Sequence, residues 1–227
     1  MKFDTHLHSK YSRDCTTDPI TLVNYARKIG LGGIFITDHN TIEGFSSINK
    51  SSLKIHVICA EEIDTDAGEV IGLFLNEPIK KGSLLDVVDA VKSQDGFLLI
   101  PHPFDRLRKH LDPSLLDKKT LNLFNAIEIY NSRIVYFNED CKKAINFASK
   151  TPLFQTAGSD EHFLEELGAS FVEIQKFASI DPPSVSLEEI RSAFFKGEFI
   201  ANGKPNSPLF HVGTKAVKFL KKNNFIK

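Results

Sequence analysis

The sequence predicts an α/β fold with a largely parallel sheet, and two observations lead to it. Short apolar runs alternate with amphipathic stretches along the chain, and polar turns separate them. The length of 227 residues matches one α/β barrel, a class that runs to roughly 200–250 residues. The apolar runs are Gly33–Ile36, Ile55–Cys59, Phe97–Ile100, Ala126–Tyr130 and Ser170–Ile174. Each is short and bounded by turn signals, so each reads as a buried strand. Between them, Asp18 caps a helix with Pro19 at its first position and Gly30 just past its end. Ser83 precedes the helical stripe Leu84, Leu85, Val87, Val88 and Val91, and Val135 to Ala148 is a further helix. Ser186 with Glu189 forms a capping box ahead of Ile190, Ala193 and Phe194. Asp66-Ala67-Gly68-Glu69 reads as a hairpin turn into Val70–Leu75, a local antiparallel exception. The segment from Pro208 to Leu220 reads as a helix ending in a solvated basic tail. The expected layout is one barrel domain over residues 1–227, with 205–227 as a helical tail.

Composition narrows the function classes. Hydrophobic residues make up 41% and charged residues 25%, as in ordinary soluble globular chains. A formal net charge of −1 leaves no overall positive field for a long nucleic acid. No run of about 18 apolar residues occurs, so no membrane span is expected, and the N-terminus lacks the pattern of a signal peptide. Cys15, Cys59 and Cys141 are odd in number and widely spaced. That argues against a disulfide framework or a Cys-based zinc site and for a cytoplasmic location.

The histidines carry the chemical signal. Five of the eight sit where a strand runs out: His6, His8, His39, His102 and His162. His6 and His8 are two apart on a strand, so both imidazoles share a face and can reach one ion. His39 follows the run Gly33–Ile36, His102 follows Phe97–Ile100, and His162 follows Leu153–Thr156. In barrels of strand–helix units the loops after the strands build the active face. Taken singly, each histidine has an ordinary reading as a surface or capping residue. Taken together with acids at matching positions, they read as a metal centre. The acids are Asp14, near the HxH pair, Asp160, two before His162, and Glu62. Glu61 competes with Glu62, because adjacent strand residues point to opposite faces. Imidazole and carboxylate together suit zinc, manganese or iron.

The ordered segments Asp4-Thr5-His6-Leu7-His8-Ser9, Ser12-Arg13-Asp14, Thr37-Asp38-His39-Asn40, Ala60-Glu61-Glu62, Pro101-His102-Pro103 and Ser159-Asp160-Glu161-His162 resemble the motifs of the PHP (polymerase and histidinol phosphatase) family across roughly residues 1–165. The resemblance implies a distorted (β/α)7 barrel with two or three divalent ions at the C-terminal face of its strands, hydrolysing phosphate esters. By that resemblance His6, His8, Glu62 and Asp160 hold one ion. Glu62 bridges to a second, bound by His102, and Asp14, His39 and His162 hold a third. Many relatives place a further histidine shortly after the strand matching Ala126–Tyr130. Here Asn131 stands in that region, with Glu128 a second candidate.

In the expected reaction a metal-activated water attacks phosphorus in line, and a cationic side chain neutralises the equatorial oxygens. Arg133, Arg106 and Arg108 are candidate clamps, since arginine presents a fork that matches phosphate. Protonation of the leaving group falls to a metal-bound water, His162 or Asp160. His56 and His211 read as structural, and His110 lies in a basic loop. The expected substrate is a small phosphomonoester or a nucleotide. An exonuclease or phosphodiesterase acting on short oligonucleotides is the first alternative and a metal-dependent amidohydrolase the second.

Overall fold

In the computed structural model, which describes residues 1–51 and 53–226, the sheet has nine strands. They are β1 (Lys2–Leu7), β2 (Gly33–Ile36), β3 (His56–Asp64), β4 (Glu69–Leu73), β5 (Phe97–Ile100), β6 (Ala126–Asn131), β7 (Phe154–Gly158), β8 (Ser170–Glu173) and β9 (Ile200–Gly203). The helices are α1 (Pro19–Lys28), α2 (Glu43–Ser46), α3 (Leu84–Ser93), α4 (Lys118–Leu121), α5 (Phe137–Ala148), α6 (Leu187–Phe195) and α7 (Leu209–Lys222). The strand order is β7-β6-β5-β4-β3-β2-β1-β8-β9.

β1, β2 and β3 pair in parallel, as do β5, β6 and β7. β4 runs antiparallel between β3 and β5, as the hairpin turn at 66–69 predicts. Strands β1, β2, β3, β5, β6 and β7 therefore all end on one side. At that side the sheet nearly closes into a barrel. Asp160 N donates to His6 O at 2.7 Å and His8 N to Glu161 O at 3.0 Å, joining β1 to the segment after β7. Closure needs close approach, and Gly158 permits it: a Cβ there would lie 2.3 Å from the Cβ of His6. At the other end β8 pairs antiparallel with β1 at Lys2 and Phe3.

The caps form where the sequence places them. Asp18 accepts from Ile20 N, Ser83 from Asp86 N, and Ser186 with Glu189 closes a capping box. The core inside the sheet is phenylalanine-rich. Phe194 of α6 lies 5.0–6.2 Å, centroid to centroid, from Phe3, Phe35, Phe74, Phe97 and Phe199. This ties the segment after residue 186 to strands β1, β2 and β5.

Three elements depart from the sequence expectation. β3 begins at His56 rather than Ile55 and continues two residues past Glu62 to Asp64. The helix expected from Val135 begins at Phe137, because Arg133 N donates to Asn131 Oδ1 and holds the preceding residues in a turn. The basic end of α7 is anchored at one residue: Lys221 Nζ donates to Ser12 O at 2.8 Å and to Lys10 O, while Lys222 stays exposed. No helix among the described residues is long and apolar enough to cross a membrane.

Candidate metal centre

The strand ends bring His6, His8, Asp14, His39, Glu62, His102, Asp160 and His162 into one cluster, nearly all of it buried. Glu62 lies at the middle. Its Oε2 is 3.5 Å from His6 Nε2, 3.4 Å from His8 Nε2 and 3.1 Å from His39 Nδ1, and its Oε1 is 3.0 Å from His102 Nε2. Asp160 Oδ1 lies 3.8 Å from His6 Nε2 and 3.5 Å from His8 Nε2. Asp14 faces His39 Nε2 at 3.6 Å and His162 Nε2 at 3.3 Å. The alternation within β3 decides between the two glutamates. Glu61 points away and accepts from Ile79 N at 2.8 Å, while Glu62 faces the cluster.

The hydrogen bonds around the rings fix which nitrogen points inward. His6 Nδ1 donates to Glu128 Oε1 at 3.2 Å. His8 Nδ1 donates to Ser12 Oγ at 3.1 Å, and Ser12 in turn donates to Asp38 Oδ1 at 2.8 Å. His162 Nδ1 donates to Asp160 O at 2.9 Å. With their Nδ1 protons held by these outer partners, the rings turn bare Nε2 lone pairs inward, the arrangement metal-bound histidines adopt. The Nε2 atoms of His6 and His8 face each other at 3.3 Å, close enough for one cation to engage both, and Asp160, Glu62 and Glu128 raise His6 well above its ordinary value against burial.

The local electrostatics agree. Burial alone would raise Glu62, but His6, His39 and His102 hold it well below the usual carboxylate range. Asp160 is likewise held low against burial, by Arg108 and His6, and Asp14 by His162 and His39. Burial pulls His8 down to about 3, with His162 and His39 adding to the effect, so its lone pair stays available. Burial would also lower His39, yet Glu62 and Asp14 raise it to about 9. The carboxylates thus create a field that calls for positive charge inside the cluster. Ligand atoms fall within 4.8 Å of one another in the sets His8/His39/His162, His6/His102/Asp160, His6/His8/Glu62 and His39/Glu62/Glu69. Asp14 Oδ1, His39 Nδ1 and His102 Nδ1 are buried with no hydrogen-bond partner among the described residues. These donors fit divalent cations.

Backbone strain collects at the same place. Asp160 has φ 56° and His102 φ 28°, the left-handed region that side chains avoid unless the surroundings enforce it.

The remaining predicted residues take other places. Asn131 donates from Nδ2 to Glu128 Oε2 at 2.9 Å and to Asp160 Oδ2 at 3.0 Å, and its Oδ1 accepts from Arg133 N and Arg108 Nη2. Its amide therefore braces the acids from behind. Glu128 also braces the cluster, through His6 Nδ1 and through His102 N at 2.7 Å. Arg108 lines the cavity but is paired with Asp105 and Asp160. Arg133 lines it too, with Nε 3.3 Å from Glu166 Oε1 and Nη2 donating to Thr214 Oγ1 at 2.6 Å. Arg106 turns away onto Glu139 and Asp140 and over the Tyr136 ring, so it is no clamp in this arrangement. His56 donates to Pro182 O, and His110 Nδ1 to Arg108 O within its own loop.

Several residues at the site gave no sequence signal. Glu69 opens β4 and lies 3.7 Å from His102 Nε2. His211, expected to be structural, donates from Nε2 to Arg133 O at 2.6 Å and lines the cavity together with Thr214, Lys215 and Lys218 of α7. The cavity over the cluster holds about 260 Å³.

Comparison with known proteins identifies the family. The family model for the PHP domain matches residues 4–147. The chain belongs to the PHP family. A second model, for a PHP-associated region, matches residues 138–199. An uncharacterized protein of Methanocaldococcus jannaschii is 36% identical over 145 residues, which cover 58% of this PHP chain and 82% of the relative. Among solved structures, one is a two-domain protein from Bacteroides vulgatus described as containing a predicted PHP-like metal-dependent phosphoesterase. It aligns with a TM-score of 0.66 at 21% identity over 89% of this chain, which spans 64% of that protein's length. An amidohydrolase from Chromobacterium violaceum with bound sulfate and no metal aligns with a TM-score of 0.59 at 15% identity, covering 71% of this chain and 88% of its own. At such identities the two structures share the fold with this PHP chain.

Proposed function

We propose that this PHP protein hydrolyses the phosphate monoester of a small metabolite or nucleotide. Two or three divalent ions, zinc, manganese or iron, would be held by His6, His8, Asp14, His39, Glu62, His102, Asp160 and His162. The observation that carries the reading is the convergence of bare imidazole and carboxylate lone pairs beneath a small cavity lined by arginines and lysines. Bound there, the ions would supply Lewis acidity, lowering the pKa of water and drawing charge from phosphoryl oxygens.

The chain's own groups do the rest. Arg133, held by Glu166 and Thr214, presents its guanidinium to the phosphoryl oxygens. Arg108 holds Asp160 in its strained turn. Where no third ion engages His162, its bare Nε2 would first take up a proton from solvent and then pass it to the leaving oxygen, while Nδ1 keeps its own proton on Asp160 O. Buried free thiols at Cys15, Cys59 and Cys141 suit a reducing cytoplasm.

The test is metal content of the purified protein, followed by phosphate release from p-nitrophenyl phosphate and from nucleoside 3′- and 5′-phosphates. Short oligonucleotides and an amide panel run beside them. Phosphate release that a chelator and His8→Ala both abolish is expected. Amide cleavage without phosphate release, or cleavage of oligonucleotides alone, would overturn the monoesterase reading.

A further inference from the structure

The two matched family regions end at residue 199, yet α7, beyond them, forms part of the cavity wall through His211, Thr214, Lys215 and Lys218. We propose that Lys215 and Lys218 form a second anion subsite, which selects phosphate esters that carry a second phosphate. The proposal rests on the phosphoesterase reading above and names its substrate class.

Among the described residues six cationic side chains line the cavity, and four of them already have partners. Arg13 pairs with Asp64 and Glu69, and Arg108 with Asp105 and Asp160. Arg133 meets Glu166 and Thr214, and Lys109 Nζ donates to Thr65 O at 2.8 Å. Lys215 and Lys218 remain without a hydrogen-bond or ion-pair partner among the described residues, and both are exposed. They stand three apart on one helix face, a like-charge arrangement that weakens a helix on its own. Arg133 faces the cavity from beside the cluster and is assigned above to the phosphate that is cleaved. Two further ammonium groups beside four other cations find their counter-charge in a second anion on the same ligand.

The lysines are not carried on a loose tail. His211 donates to Arg133 O, Arg133 to Thr214, and Lys221 to Ser12 O. The Phe163 and Phe210 rings stack at 5.6 Å. Gly213 allows this approach, since a Cβ there would lie 2.7 Å from the Phe163 ring. The cavity's size, about 260 Å³, suits a small bisphosphate rather than a polymer.

The experiment compares glycerol 1-phosphate with glycerol 1,3-bisphosphate as substrates of the metal-loaded protein and of Lys215→Ala/Lys218→Ala. The wild type is expected to favour the bisphosphate by roughly tenfold or more in kcat/KM, expressed in KM, as a charge-assisted contact allows. The double variant is expected to lose that preference. Equal treatment of the two esters by the wild type, or an undiminished preference in the variant, overturns the subsite.

Calorimetric binding of methylphosphonate and propane-1,3-bisphosphonate separates this failure from failure of the parent reading. Lysine-dependent preference for the bisphosphonate with no ester hydrolysed refutes the phosphoesterase and leaves the subsite standing. Hydrolysis of both esters without any lysine-dependent preference does the reverse.

Discussion

His6 Nδ1 and Glu128 Oε1 meet at 3.2 Å across 122 positions of sequence, both fully buried. That contact fixes the His6 tautomer and aims its Nε2 at Glu62 and Asp160. Glu128 also accepts from His102 N and Asn131 Nδ2, so one carboxylate orients a ring, the loop after β5 and the amide at the end of its own strand. Replacing it should loosen the metal without removing a ligand. Glu128→Ala is expected to weaken metal affinity about 10–100-fold, the usual cost of losing an outer partner. Metal-buffer titration followed by metal analysis reads the change, and an unaltered affinity would show that the tautomer is fixed by other means.

Ser12 supplies the matching support for His8. Its hydroxyl accepts from His8 Nδ1 and from His39 N and donates to Asp38. Ser12→Ala strands a buried imidazole proton and a backbone N–H. A fall of about tenfold or more in phosphate release is expected, together with a loss of stability of about 1–3 kcal/mol for each stranded buried donor. Steady-state kinetics at saturating metal would check it.

Arg133 is the guanidinium in the cavity held by a helix as well as by an acid. Arg133→Lys keeps the charge but loses the planar fork. The variant should lose about tenfold or more in kcat/KM, and Arg106→Lys should lose little, since Arg106 pairs outside the site. Comparable losses in both variants would contradict the placement of the clamp.

Phe194 is fully buried among five other phenylalanines or their edges. Phe194→Ala should cost about 3–5 kcal/mol of stability through lost contacts and the cavity left behind. Chemical denaturation gives the value. A loss below about 1 kcal/mol would mean that α6 does not pack on the strands.

His56 gives a pH prediction remote from the metal ligands. Burial lowers its pKa, and the hydrogen bond to Pro182 O opposes this only in part. A histidine with a folded pKa below its unfolded value of 6.5 favours the fold when neutral. Its contribution is present above pH 6.5 and is lost as the pH falls below that toward the folded pKa. The melting temperature of the wild type relative to His56→Gln should therefore be constant above pH 7 and decline below about 6.5. A difference that stays flat down to pH 5 would exclude His56 as a contributor.

Much of the fold and of the residues that cluster at the strand ends was legible in the chain itself, because those features follow local rules. Alternation inside a strand puts His6 and His8 on one face, caps at Asp18, Ser83 and Ser186 begin helices, and apolar runs end where His39, His102 and His162 stand. What decides the orientation of those ligands is not local. Glu128 behind His6, Glu69 beside His102, the bracing amide of Asn131 and the lysines of α7 over the cavity come from segments far apart. Their contacts depend on strand order, sheet closure and helix docking, none of which leaves a spacing in the sequence. Local chemistry determined which residues could bind metal, and tertiary packing alone determined how they are held and which cations face the open space above them.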